Sequence, residues 1–196
     1  MTDEILEGAM RPPVTEATDR VLRIPALSLV VLVGPSSSGK STFARTHFAP
    51  FETISSDFCR GLVSNDENDQ AATQDAFQLL HFLTAKRLAR GLLTVIDATN
   101  VQREARRPLV ELAHRYQTVP VAIVLDLPAR ICETRHEARP DRAFGVYVIR
   151  RHRTQLHESI DSLGVEGFQH VSRLRSEADI ANIIIERQPL ENDTAH

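Results

Sequence analysis

Apolar positions along this chain follow two alternating rhythms. Short continuous runs of leucine and β-branched residues alternate with longer stretches in which apolar residues recur every three or four positions. The first continuous run, Leu27 to Val33 (LSLVVLV), is closed by Gly34-Pro35 and predicts a strand covered on both faces, as in a parallel sheet. Lys40 to His47 predicts a helix and Thr53 to Ser56 a short strand. Gln70 to Arg90 predicts a long helix with Phe77, Leu80, Thr84 and Leu88 along one face, ended by Gly91. A strand at Leu92 to Asp97, a helix at Gln102 to Tyr116 and a strand at Val119 to Leu125 follow. Helices are then expected at Ala129 to Glu137 and Phe144 to Leu163, and late strands at Phe168 to Val171 and Ile183 to Ile185. Strands alternating with amphipathic helices give a doubly wound α/β domain, a parallel sheet sandwiched by helices.

Both ends read differently. Met1 to Arg23 is polar, acidic and proline-punctuated, and is expected to be a flexible extension. The domain is expected over 24–190. Residues 191–196 read as a polar tail where a longer protein would have been cut.

Composition removes several classes of function. The 196 residues are 42% hydrophobic and 25% charged, as in a globular protein. The apolar run at Leu27 is far too short to span a bilayer, and the acidic N-terminus lacks a signal-peptide core, so no membrane partner is expected. Cys59 and Cys132 have no CxxC partner; they read as ordinary small apolar residues in a reducing cytoplasm. The eight histidines form no metal-ligand spacing and read as surface or satisfied core residues. Net charge is −3, but Arg130 to Arg153 holds seven arginines against three acids. That run is either a solvated helix face or an anion-binding surface suited to phosphates.

Gly34 to Ser41 reads GPSSSGKS, the GxxxxGK[ST] pattern, and lies where the pattern requires, between a strand and a helix. Gly34, Pro35, Ser36, Ser37, Ser38, Gly39, Lys40, Ser41 and Thr42 are the candidate nucleotide-binding residues. Glycines let backbone N–H groups turn inward around a phosphate chain. Lys40 is placed for the β- and γ-phosphates of ATP and the Ser41 hydroxyl for Mg²⁺. The chain lacks an NKxD segment and an LSGGQ-like signature, which leaves a small phosphotransferase ahead of GTPases and ABC-type ATPases.

Three further groups bear on that chemistry. Asp57 falls at the end of the second predicted strand, the edge that faces the ligand crevice in open α/β sheets. It could take the proton of an attacking hydroxyl while Arg60 binds a phosphate on the acceptor. Alternatively, Asp57 or Ser56 caps the next short helix. Asp97, at another strand end, is placed like a Walker B acid for Mg²⁺; the other reading is a turn residue, with Asn100 capping the following helix. Arg135, Arg139 and Arg142 are spaced to share a helix face, although Pro140 breaks the helix before Arg142. They suit a lid that closes on ATP and offsets phosphoryl charge.

In that order, GPSSSGKSTFA, ISSDFCRGLVSNDENDQ, LTVIDATNVQ and CETRHEARPDR resemble the kinase module of bacterial Pnkp, a polynucleotide 5′-kinase/3′-phosphatase/ligase of RNA end repair. The resemblance runs from about Ile24 to Leu190. It implies ATP-dependent phosphorylation of the 5′-OH end of RNA or DNA. Lys40 and Ser41 would serve ATP and Mg²⁺, Asp57 would be the general base, and Arg60 would contact the acceptor strand's phosphate. Arg135 and Arg139 would clasp the ATP phosphates. It also implies phosphatase and ligase modules of the same polypeptide, which these residues do not contain. A small-molecule kinase of the gluconate or adenylylsulfate type, and a non-catalytic nucleotide-binding domain, are the competing readings.

Overall fold

The structure is a computed structural model and describes residues 14–16, 20–138 and 144–189. In chain order its elements are β1 (Val14–Glu16), β2 (Val21–Pro25), β3 (Ser28–Val33), α1 (Lys40–His47), β4 (Thr53–Ser55), α2 (Ser56–Ser64), α3 (Thr73–Leu88) and β5 (Thr94–Asp97). They continue with α4 (Arg103–Arg115), β6 (Val119–Leu125), α5 (Ala129–Glu137), α6 (Val146–Ser159), β7 (His170–Leu174), α7 (Glu177–Asn182) and β8 (Ile184–Gln188). A six-stranded parallel sheet runs in the order β1-β7-β6-β3-β5-β4, and β2 pairs in parallel with β8 in a second, two-stranded sheet. The expected α/β sandwich is what the chain forms.

The continuous apolar run of β3 is explained by its central place. All six of its residues are buried, and they alternate between two faces. Leu29, Val31 and Val33 pack with Leu80 of α3, Leu109 of α4 and Leu156 of α6. Val30 and Leu32 pack with Phe43 of α1, Ile24 of β2 and Leu174 of β7. Helices on both faces leave the sheet's C-terminal edge, between the ends of β3, β4 and β5, as the open crevice.

Some boundaries depart from the sequence reading. The segment read as a flexible extension carries two strands, so ordered structure starts before Ile24. Val14 pairs with Val171, and Val21 pairs with Ile184. Leu22 and Ile24 alternate inward on β2, a period-2 signal too short to stand out beside the acidic, proline-bearing stretch before it. The helix expected from Gln70 is α-helical only from Thr73, after a 3₁₀ turn at Gln70–Ala72. The strand expected from Leu92 begins at Thr94, because Leu92 N–H turns back to Arg87 O behind Gly91. Arg139, Arg142 and the tail 191–196 lie outside the described residues.

One buried ion pair was not anticipated. Arg106 of α4 has no exposed surface, and the Glu166 side chain is only 4% exposed. Arg106 donates from Nε and Nη2 to the two Glu166 carboxylate oxygens at 2.7 and 2.6 Å, and from Nη1 to Asn100 O at 2.8 Å and Ser159 Oγ at 3.2 Å. Ser159 Oγ in turn donates to Val101 O at 2.8 Å. Removing one partner of such a pair strands the other charge in the interior. Arg106→Leu should therefore lower stability by about 3–5 kcal/mol, read from equilibrium urea unfolding, and Arg106→Leu/Glu166→Leu should recover most of that loss. A single-variant loss below about 1 kcal/mol would show that the pair does not anchor this region.

Candidate active site

The phosphate loop joins β3 to α1 and needs both its glycines. A Cβ on Gly34 would lie 2.7 Å from Leu125 O and 2.9 Å from Ser38 Oγ. Gly39 has φ +98°, a left-handed conformation that disfavours other residues, and a Cβ there would meet Arg135 Nη1 at 3.2 Å. The first α1 backbone bond of this turn is Phe43 N–H to Gly39 O. The first-turn amides of an α-helix have no acceptor within the helix, and the start of α1 faces the loop as a phosphate site requires. Ser37 Oγ is also buried without a hydrogen-bond partner.

These residues line a cleft of about 490 Å³, closed by Ser56 and Asp57 of α2, by Asp97, Ala98 and Thr99 after β5, and by Arg135, Ala138 and Ile180 on the far wall. Lys40 is buried and donates to its own loop, to Gly34 O at 2.9 Å and Pro35 O at 2.7 Å. Arg135 reaches over the loop from α5, donating to Ser38 O at 3.3 Å and to Glu177 Oε1 at 2.6 Å. Sequence reasoning placed the loop, Lys40, Asp57, Asp97 and Arg135 in one site, and the fold brings all of them to this cleft.

Asp97 ends β5 in register with Leu32 and Ser55. Burial pushes its pKa above the ordinary carboxylate range. A hydrogen bond from Ser41 and the Lys40 charge oppose the shift, while the Asp57 charge adds to it. Ser41 Oγ and the Asp97 carboxylate thus lie together beside the loop, an oxygen pair that fits Mg²⁺. Among the described residues no cluster of three or more His, Cys, Asp or Glu could hold a metal alone. Phosphate and water oxygens would have to complete the coordination, which is how Mg²⁺ is ordinarily bound beside nucleotides.

Both capping alternatives are corrected by the geometry. The N-cap of α2 is Ser55, whose Oγ accepts from Phe58 N–H at 3.3 Å, so neither Asp57 nor Ser56 caps it. Asp57 lies in the first turn, and its Oδ1 accepts from Arg60 Nη1 at 2.9 Å. Arg60 is buried and also donates to Glu67 O at 2.7 Å; it stands behind Asp57 and is not among the cleft-lining residues. Asn100 does not cap α4, whose N-cap is Gln102. It is buried at φ +49° and donates from Nδ2 to Leu32 O at 2.8 Å, tying the turn after β5 to β3.

Several contributors escaped the sequence reading. Ile180 of α7 and Ala138 give the far wall its apolar surface, and Glu177 holds Arg135. No motif or sustained period marks them. His152 of α6 places Nδ1 3.3 Å from Ser36 Oγ, and a lone histidine carries no spacing signal. Cys59 and Cys132 are buried free thiols whose pKa values burial pushes up, in line with their reading as apolar packing. Among the described residues no helix is long and apolar enough to cross a membrane.

Comparison with known proteins fits this geometry. A curated relative, transcription factor bHLH140 of Arabidopsis thaliana, is 30% identical over 163 residues, covering 80% of this chain. The chain spans only 17% of that relative's length. Among solved structures, a chain of the Pnkp1/Rnl/Hen1 RNA repair complex superposes with a TM-score of 0.61 at 24% identity, over 71% of this chain and 47% of that one. A gluconokinase from Sinorhizobium meliloti superposes with a TM-score of 0.53 at 15% identity, over 82% of this chain and 89% of that one. At such identities both speak for the fold alone. Residues 29–162 match the AAA domain family, and the chain, with its phosphate loop, strand-end acid and parallel sheet, belongs to that family.

Proposed function

We propose that this domain is an ATP-dependent polynucleotide 5′-hydroxyl kinase acting on RNA or DNA ends. The observation that carries the reading is the Asp57–Arg60 pair, with Asp57 lining the cleft opposite Lys40 and the loop. It lies in ISSDFCRGLVSNDENDQ, a stretch of the resemblance to the Pnkp kinase module that is much more specific than the phosphate loop. The fold alone does not choose the acceptor, since it serves a gluconokinase as well.

Each residue then has a task. The loop amides of Gly39, Lys40, Ser41 and Thr42 and the side chains of Ser36 and Ser37 cradle the phosphates of ATP. Lys40 leaves its own carbonyls to meet the β- and γ-phosphates. Ser41 and Asp97 would hold Mg²⁺, which when bound would supply charge stabilisation for the transferring phosphoryl group. Asp57 accepts the proton as the 5′-oxygen bonds to the γ-phosphorus and the bond to the β-bridging oxygen breaks, giving ADP and a 5′-phosphate. Arg60 holds the Asp57 carboxylate in place from behind. Arg135, and Arg139 by its place in the sequence, offset charge on the transferring group. Phosphatase and ligase modules belong to the same proposal, as the companions of such a domain in a longer polypeptide. Two buried free thiols suit a cytoplasmic setting.

Lys40→Ala should cut phosphoryl transfer by about 10²–10³ while leaving the fold intact, as losing an electrostatic stabiliser does. Activity within about tenfold of wild type, with unchanged thermal unfolding, would remove the loop from the mechanism. Asp57→Asn should lower turnover by about 10²–10⁴ with little change in ATP affinity, because asparagine keeps the shape and cannot take a proton. Retained turnover in a correctly folded Asp57→Asn variant would refute the general-base role. The acceptor is settled by offering radiolabelled ATP together with a 5′-OH oligonucleotide, gluconate and adenylylsulfate. Label should pass to the oligonucleotide, and only modestly less at higher salt, since an acidic chain makes few phosphate contacts. Label on a small molecule and none on the oligonucleotide would make this a small-molecule kinase.

A further inference from the structure

One contact reaches the phosphate loop from a helix that contributes nothing else to the cleft wall. His152 of α6 lies with Nδ1 3.3 Å from Ser36 Oγ, across 116 residues of sequence. Ser36 is buried and lines the cleft. It sits at the start of the loop, where Gly34 N–H is held by Thr99 O at 2.9 Å and Lys40 folds over Pro35 O. Burial, and after it the charges of Lys40 and Arg151, lower the His152 pKa to about 4. The ring is therefore neutral at neutral pH, with one nitrogen donating and one accepting.

The serine hydroxyl has a single proton. An imidazole that accepts that proton leaves Ser36 with nothing to give a phosphate. An imidazole that donates to Oγ fixes the oxygen and leaves the proton to point into the cleft. We propose that His152 is a positioning residue for the nucleotide: its Nδ1–H donates to Ser36 Oγ and turns the Ser36 hydroxyl toward a phosphate oxygen. The inference rests on the reading that the loop takes a nucleoside triphosphate and is independent of which acceptor receives the phosphoryl group.

Direct binding of a fluorescent ATP analogue with Mg²⁺ to the full chain tests it, together with KM for ATP and kcat at saturating acceptor. His152→Ala and Ser36→Ala should each weaken binding and raise KM by about three- to tenfold, the size of one net hydrogen bond. The double variant should be no weaker than the weaker single one, because both remove the same interaction. His152→Asn carries an amide N–H near the place of Nδ1 and should restore affinity to within about twofold of wild type, whereas His152→Gln, matching the other ring nitrogen, should not. Wild-type affinity in a folded His152→Ala or Ser36→Ala variant, or a double variant whose loss is the product of the two single losses, would overturn the proposal. If His152→Ala does not fold, Ser36→Ala and His152→Asn decide it on the same criteria. A wild-type chain that binds the analogue but labels no polynucleotide would fail the acceptor reading and leave this one standing. A wild-type chain that does not bind the analogue would overturn both.

Discussion

The site depends on a charge pair whose side chains are almost wholly buried. Arg106 and Glu166 join α4 to the turn before β7, and Arg106 also grips Asn100 O and Ser159. Asn100 carries the strain of this arrangement at a left-handed φ of +49° and holds Leu32 O at the end of β3. One residue earlier, Thr99 O accepts from Gly34 N–H at the mouth of the phosphate loop. A chain of hydrogen bonds therefore runs from the buried pair, through the turn after Asp97, to the first residue of the loop. Burying two charges costs several kcal/mol per ion unless their polar groups are met. Here both carboxylate oxygens and all three guanidinium nitrogens have partners, so the cost is offset and the geometry is fixed. Asp97 and the loop are positioned by the same anchor.

Much of the sheet was legible because burial on both faces keeps the middles of β3, β5 and β6 apolar. Their apolar runs stand out from any window of the sequence. The phosphate loop was legible because its glycines and lysine answer local backbone demands. Elements whose stability comes from distant partners left weaker traces. β1 and β2 lie where the composition is acidic, and their pairing partners are more than 150 residues away, at Val171 and Ile184. Arg106 reads as a solvated charge on a helix, since nothing local distinguishes an arginine whose partner is 60 residues on. Ser55, Ser56 and Asp57 are three adjacent residues, each with a side chain able to cap; only the helix start, set by the length of β4, decides that Ser55 does it. That decision leaves Asp57 in the first turn of α2, where it lines the cleft. His152 and Ile180 reach the site through packing of α6 and α7, which no motif encodes.

The charges at the cleft come in balanced sets, and their strengths differ in a useful way. Lys40 is held by neutral carbonyls and Arg135 by an exposed carboxylate, Glu177. Net, a hydrogen bond from a charged donor to a carbonyl contributes about 1.5–3 kcal/mol and an exposed ion pair about 0–1 kcal/mol. A polyphosphate offers both cations hydrogen bonds and full charge pairing together in a partly buried site, and so competes with either. Asp57, by contrast, is held by the buried guanidinium of Arg60, itself fixed by Glu67 O. So the cations that must move to meet phosphate are held by contacts it can replace, while the carboxylate that must stay in line for a proton is firmly held. Affinity for the phosphates and precision at the acceptor are thereby separated between two sides of one cleft: exchangeable contacts on the loop and α5, and a rigid pair at the start of α2.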